Sequence, residues 1–434
     1  MGTKTTKRAR LRAIWENSPT VQNILKVSAG DIASKIVSVA TVFLLIRGLS
    51  IADYAAFTSF SGISTLFSGL VGAGINMAIV RFSAQALSKG KERPIALYGF
   101  AIFFQIILYL AVAGLCLLFP AQSSIVLFGH PGFSEPLRLG LFAGLGILIV
   151  QFTRSLYQAE EKFTRYIGTL WLVQFVLFMI LGVLWILGAL SFASAAVTSV
   201  IVQLAIGLWL LRRHFKSLTV VSWSMQSEFE KSEVRQFMLS SGWLIGYFLT
   251  LSIIGRMDIL MLARFSETEE LARYGVAFQY YSLALLFLSS IHAVLLPKFS
   301  RAEMLAVERQ SAFVKKWLRW SAGLIIPIGL FGWLGKPIFV LVSGTQYEDS
   351  FEILIILSIG IWFSMMFSPF VNIILGKGEY LFLFLLSAIA LCANILLNLL
   401  LIPVFGGVGA AIVAVSSIGM INLLSFARLR DVWL

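Results

Sequence analysis

Charge is what this sequence has least of. Only 13% of its 434 residues are Asp, Glu, Lys or Arg, about half the share of an ordinary soluble domain, so a water-soluble enzyme of this length could not cover its surface. Cysteine is nearly absent: Cys116 and Cys392 both fall inside apolar runs, which excludes a disulfide framework or a CxxC site. The three histidines form no catalytic cluster; His130 and His214 read as loop residues, and His292 stands alone near the inner end of a span. With only ten prolines, long helices can run unbroken. A cleavable leader is also missing, because MGTKTTKRARLRAIWENSP reads as a basic cytosolic arm. Gly2 and Thr6 fit a myristoylation pattern, a coincidental match in a chain that spans the membrane anyway.

What is abundant is apolar sequence, at 59% of residues and a mean hydropathy of +0.90. A spanning helix needs about 20 mostly apolar residues, and the pattern predicts twelve: 24–46, 57–80, 95–119, 137–156, 166–187, 193–211, 237–263, 274–297, 320–336, 351–374, 381–401 and 409–427. The connectors alternate in character. Those on one side hold 25 of the 34 basic residues and 11 acidic ones, those on the other hold five and eight, and the spans hold four and two. Cationic loops stay in the cytoplasm, which puts both termini inside. The net charge of +13 therefore reports topology and does not call for nucleic acid. No outer loop exceeds about twenty residues, which disfavours polymerases and ligases with a large external domain.

Sliding the two halves past each other exposes a repeat. Ser28-Ala29-Gly30 lies opposite Ser240-Ser241-Gly242, Ala52-Asp53-Tyr54 opposite Ala272-Arg273-Tyr274, and Arg81-Phe82-Ser83 opposite Lys298-Phe299-Ser300. Gly129 meets Gly344, and Ala195-Ala196 meets Ala410-Ala411. Six spans separate equivalent points, so the halves share one orientation. The expected architecture is an all-α polytopic membrane protein: twelve transmembrane helices in two parallel six-helix repeats around a central cavity. Its parts are a cytoplasmic arm (1–23), an N-lobe (24–211), a cytoplasmic linker (212–236), a C-lobe (237–427) and a cytoplasmic tail (428–434).

Four stretches carry a family resemblance: RGLSIADYAAF (47–57), GRMDILMLARFSETEELARYGVAFQY (255–280), LLPKFSRA (295–302) and NILLNLLLIPVFGGVGAAIVAVSSI (394–418). The last is the most specific, with Asn394 and Asn398, an Ile-Pro, a Gly-rich turn and a Gly-Ala-Ala helix start. On these residues the chain resembles the O-antigen (Wzx-type) flippases, the polysaccharide-exporter branch of the multidrug/oligosaccharidyl-lipid/polysaccharide exporter superfamily. The resemblance implies two six-helix lobes around a cavity, and a lipid-linked oligosaccharide carried on a polyprenyl diphosphate across a bacterial inner membrane. Twelve spans rather than fourteen place the lipid II flippase branch second.

Ionisable residues inside spans are costly, at least about 2.5–3.5 kcal/mol each at a helix centre, and face water or a partner. In the first span Lys26 snorkels near the inner end, while Asp31 and Lys35 share a helix face. They either pair with each other or line the cavity, where Lys35 would meet diphosphate or sugar. In the seventh span Arg256 and Asp258 project on different faces. Asp258 is a candidate coupling-ion site or a salt-bridge partner of the other lobe. Arg47 and Arg264 close spans one and seven at matched positions, as solvated loop-end residues or as a cationic rim where diphosphate leaves. Arg154, at the inner end of span four, snorkels or receives the head group. A diphosphate needs such cations to cross about 30 Å of hydrocarbon. The polar residues Gln105, Gln151, Gln174, Gln203, Asn372, Asn394, Asn398 and Asn422 join helices or meet sugar.

The expected activity is non-enzymatic: flipping by alternating access, with no cofactor beyond a coupling H+ or Na+. The expected partners are the lipid-linked oligosaccharide, membrane lipids and, in the cell, a polysaccharide polymerase and glycosyltransferases; no metal or nucleic acid is expected. An ion-coupled multidrug antiporter would select cationic drugs with an acidic cavity, whereas the spans hold more bases than acids. A membrane glycan-modifying enzyme would need a nucleophile or base cluster that the spans lack.

Overall fold

The computed structural model describes residues 19–88, 95–129, 131–216, 228–302 and 307–433. Among these every regular element is a helix, as bilayer immersion requires of a chain that must satisfy its own backbone. The first half comprises α1 (Pro19–Gly48), α2 (Ile51–Ser88), α3 (Ile95–Leu118), α4 (Pro120–Phe128), α5 (Ser134–Ala159), α6 (Phe163–Ile186) and α7 (Phe192–Lys216). The second comprises α8 (Glu228–Phe265), α9 (Thr268–Ala302), α10 (Val307–Ala322), α11 (Ile325–Leu334), α12 (Lys336–Ser343), α13 (Ser350–Lys377) and α14 (Tyr380–Trp433). Nine stretches of described residues are long and apolar enough to cross a membrane. One of them, Tyr380–Arg430, has 51 residues, about 75 Å of helix, and folds back at Gly406, where φ is 51°. The expected spans 381–401 and 409–427 flank that fold. Leu115, Ile186, Ile326 and Leu400 point their side chains outward, as lipid contact demands.

Three expected boundaries change. α7 continues to Lys216 and α8 begins at Glu228, so helix enters both ends of the expected linker. α14 runs through most of the expected tail, to Trp433. The expected span 320–336 is jointed: α10 ends at Ala322, a turn follows, and α11 starts at Ile325. That joint is tied to α13 by the Trp317 indole donating to the Met366 carbonyl (3.2 Å) and the Trp362 indole donating to that of Ser321 (3.1 Å).

The two halves repeat one packing plan. α2 packs along α5, α1 along α6 and α5 along α7; correspondingly α9 packs along α13, α8 along α14 and α13 along α14. The punctuation repeats as well. The short helices α4 and α12 each carry proline in the first turn, end at a glycine of positive φ (Gly129, 81°; Gly344, 98°) and run into a 3-10 turn. Glycine is needed there because other residues enter that region only with strain.

The halves meet chiefly where α2 lies on α8. Gly62, Gly69 and Gly74 form the contact line: a methyl group on each would come within 2.9 Å of Ile259, 2.9 Å of Ser252 and 2.6 Å of Ile245. Small residues let helix backbones approach in a solvent where apolar burial drives nothing. Gly72 turns the other way, toward Asn76, Leu148 and Gln105 of its own half. Near their N-terminal ends α2 crosses α9, where Gly275 leaves room for Thr58.

Candidate functional site

The most developed polar assembly surrounds Asp258, which α8 buries among apolar neighbours Ile254, Leu260 and Met261. An isolated carboxylate would be very costly there. Its Oδ1 accepts a hydrogen bond from Asn398 Nδ2 at 2.8 Å, and its Oδ2 one from the Tyr274 hydroxyl at 3.2 Å. Asn398 Nδ2 also donates to Asn394 Oδ1 (3.1 Å), and Asn394 Nδ2 donates to Ser417 Oγ (3.0 Å). Four helical segments converge: α8 with Asp258, α9 with Tyr274, the first arm of α14 with Asn394 and Asn398, and its second arm with Ser417. The two asparagines face Asp258 together because they are four apart on one helix. The fold-back at Gly406 then brings Ser417 alongside. Glu270 fastens that fold-back, accepting the Gly407 amide on Oε2 (3.0 Å) and Arg273 on Oε1 (2.8 Å).

Chemically the cluster is one carboxylate with neutral oxygen donors of the hard kind that coordinate cations without d-electron preference. Asn398 Oδ1, fully buried, receives no hydrogen bond from the described residues. Among those residues no group of three or more His, Cys, Asp or Glu side chains is gathered to hold a metal.

The arginine two residues away makes no hydrogen bond to this network among the described residues, although its charge acts on Asp258 and Tyr274. Arg256 lies half-buried with its guanidinium over the Phe278 ring at 4.8 Å, so the two charges diverge, as their spacing predicts. Among the described residues every bonded partner of Asp258 belongs to the second half, and neutral donors reach both carboxylate oxygens.

The other expected residues are dispersed. Arg154 is half-buried near the C-terminal end of α5, its guanidinium over Tyr166 at 4.5 Å, with its Nε unbonded among the described residues. Arg47 and Arg264 are exposed, and each hydrogen-bonds the opposite half: Arg47 reaches Leu341 and Val342 carbonyls, and Arg264 the Val126 carbonyl. The backbones of Lys26, Asp31 and Lys35 lie on α1, while their side chains and that of His292 lie outside the described residues, as do Gly2, Thr6 and His130 altogether. His214 is not a loop residue. It sits in the last turns of α7, fully buried, with its ring edge-on to Tyr157 (5.3 Å) and its Nε2 3.7 Å from Glu160. The helix continues past the expected end of the span to Phe215, which packs on the core, and carries His214 with it.

Sequence reasoning missed Tyr274 and Ser417 as members of the cluster. Tyr274 appeared only as a repeat marker, and its reach to Asp258 is a contact between helices. Asn76 was missed too; it accepts a bond from Gln105 Nε2 at 3.0 Å inside the first half.

An all-helical membrane chain of paired halves, with a buried carboxylate held by polar side chains, has the build of a transporter. Comparison with known proteins places it more narrowly. Residues 20–303 match the family model described as "Polysaccharide biosynthesis protein", and the chain belongs to that family. Its structure is similar to the lipid II flippase MurJ in an inward closed conformation (TM-score 0.70, 15% identity, covering 94% of this chain and 87% of that one). It is also similar to the MATE multidrug transporter DinF-BH (TM-score 0.66, 15% identity, 96% of each chain). A third likeness is to the Vibrio cholerae MATE transporter VcmN in the bent form (TM-score 0.58, 15% identity, 95% and 98%). No curated protein matches the sequence. At these identities the structural likeness shows the fold alone, the multi-helix membrane fold of MurJ and these MATE transporters.

Proposed function

We propose that the chain is a flippase that moves a polyprenyl-diphosphate-linked oligosaccharide, an O-antigen or exopolysaccharide repeat unit, from the inner to the outer leaflet. Transport proceeds by alternating access between the two halves in a bacterial inner membrane, with both termini cytoplasmic. The observation that carries this reading is the excess of bases over acids inside the spans of a polysaccharide-biosynthesis family member. A diphosphate head group needs cationic company at membrane depth, and arginine meets phosphate oxygens in a bidentate manner. In this reading Lys26, Lys35, Arg154 and Arg256 serve the head group along its path, with Arg47 and Arg264 at the outer rim. The sugars occupy the central cavity, and the polyprenyl tail stays in lipid. Asp258, with Asn394, Asn398, Tyr274 and Ser417, is the site of the coupling H+ or Na+. Glycosyltransferases supply the substrate and a polymerase takes it up outside. The protein itself performs no bond chemistry.

The test is deletion followed by complementation. Loss of the chain should leave lipid-linked oligosaccharide on the inner leaflet, and the intact gene should restore glycan export. A Lys35→Ala variant should insert normally and fail to restore export; full export would remove Lys35 from the path. The fold shared with DinF-BH gives multidrug efflux as the second reading. Efflux of a fluorescent cationic drug without glycan export would establish it in place of the first. Rescue of a strain lacking its lipid II flippase would instead assign the substrate of the third branch.

A further inference from the structure

Arg47 and Arg264 are the last charged residues of the helices α1 and α8, at matched places in the two halves. Each reaches across to the other half and binds the same feature there. Arg47 donates from Nε to the Val342 carbonyl at 2.8 Å and from Nη2 to that of Leu341, both at the C-terminal end of α12. Arg264 donates from Nη1 to the Val126 carbonyl at the end of α4, and its Cγ lies 3.4 Å from where a methyl group on Gly129 would stand. Gly344, the corresponding glycine after α12, stands in the same relation to Arg47, with a methyl group there 3.7 Å from Nη1. The first half thus caps a short outer helix of the second, and the second caps the equivalent helix of the first. The last carbonyls of a helix have no partner within it, and a guanidinium satisfies them while meeting the negative end of the helix dipole.

We infer that these two reciprocal caps are the lock of the outer gate. They lie at the outer ends of the halves, beside the crossing of α2 and α9 at Thr58 and Gly275 and the Tyr54–Tyr347 ring contact (5.8 Å). Any separation of the halves at that end must draw Arg47 off α12 and Arg264 off α4 together. Duplication explains why there are two caps: one contact evolved on a repeated surface appears twice when the copies face each other, as in an isologous interface. The caps also explain the glycines. Gly129 and Gly344 end their helices in a conformation that leaves the final carbonyls open to the incoming arginine. The inference rests on the reading of the chain as an alternating-access transporter and adds to it the residues that hold one of its states.

The test follows the gate itself and needs no substrate. A thiol at Thr58→Cys, with Cys116 and Cys392 replaced by alanine, lies buried under the gate, and a membrane-impermeant maleimide added outside reports its opening. A second thiol at Ala143→Cys, buried inside the first half, reports general loosening. In Arg47→Ala or Arg264→Ala the rate at Thr58→Cys relative to Ala143→Cys should rise about tenfold, and further in the double variant, as expected for hydrogen bonds from a charged donor. An unchanged ratio in the double variant overturns the inference, whether the gate stays shut or the whole chain loosens. The labelling is independent of the substrate, so failure of the flippase reading and failure of the lock are told apart.

Discussion

The two halves of the molecule share a scaffold and differ at its centre. The offset of 217 that pairs Arg47 with Arg264 also pairs Thr41 with Asp258 and, carried along to α6 and α14, sets Leu177 and Leu181 against Asn394 and Asn398, two residues off the 215 of the flanking Gly129–Gly344 and Ala195–Ala410 matches. All of these last six positions are buried. In the first half Thr41 donates to its own helix at the Val37 carbonyl (2.9 Å), and Leu177 packs with Val150, Val173 and Val202. In the second half the same places hold a carboxylate and the amides that bond it. At these places one copy of the duplicated unit is an apolar bundle joint, and the other holds a buried polar cluster. A carboxylate survives at this depth only because the asparagines and Tyr274 supply hydrogen bonds, so the difference is a set of coordinated substitutions and not one stray charge.

The largest expected effect comes from removing the charge. Asp258→Asn keeps the shape of the side chain and its capacity to accept one bond, but cannot release a proton or hold a cation electrostatically. Glycan export driven by an imposed ion gradient should fall about a hundredfold, the equivalent of one or two charge-assisted bonds, with expression unchanged. Export that keeps its rate and its ion dependence would dissociate the cluster from coupling.

Next comes a change that makes the second half resemble the first. Asn398→Leu removes one donor to Asp258 and restores the leucine found at the matched position. Transport should drop about tenfold while the detergent melting temperature moves little, because the lost bond of about 1.5–3 kcal/mol is partly offset by apolar packing. A large loss of stability with no change in ion dependence would recast the cluster as a structural joint.

Much of the fold was legible in the sequence, and the reason is physical. Membrane depth sets helix length, which is a one-dimensional signal; the helices covering 57–80, 137–156 and 351–374 enclose the expected spans at both ends. The repeat was legible where glycine had to stand, at Gly129 and Gly344. The joint at Gly323 was not, because no single residue there forbids a helix, and two tryptophan bonds from packed neighbours decide it. For the site, Asp258 and both asparagines stood out as polar residues in apolar runs. Tyr274 and Ser417 did not, since a tyrosine at a span entrance and one of two adjacent serines in an apolar run look unremarkable until the helices are packed. The carbonyl partners of Arg47 and Arg264 were beyond reach for a further reason: a backbone acceptor leaves no mark in sequence.

The converse substitution places the polar feature in the apolar half. Leu181→Asn puts an amide where Leu181 is almost fully buried and where the register offers Thr41 in place of an aspartate. The unsatisfied group should cost about 1–3 kcal/mol, read as a lower melting temperature in detergent, and should confer no new ion dependence. A variant that melts normally would mean that the first half already contains an acceptor for the amide.

The smallest effects test the helix lines themselves. Gly74 faces Ile245 across the α2–α8 contact, where an added methyl group would lie 2.6 Å from a backbone carbon that cannot step aside. Gly168 in α6 has nothing within 4 Å of the same position. Gly74→Ala should therefore destabilise by about 1–3 kcal/mol through overpacking. Gly168→Ala should stabilise by about 0.5–1 kcal/mol, because alanine loses less backbone entropy on entering a helix. The pair is best measured as melting temperatures in one detergent. Opposite shifts of the expected sign would establish that the glycines between the halves are held by contact. A stabilising Gly74→Ala would show instead that α2 and α8 stand farther apart than their packing implies, and that the halves are already free to rock along that line.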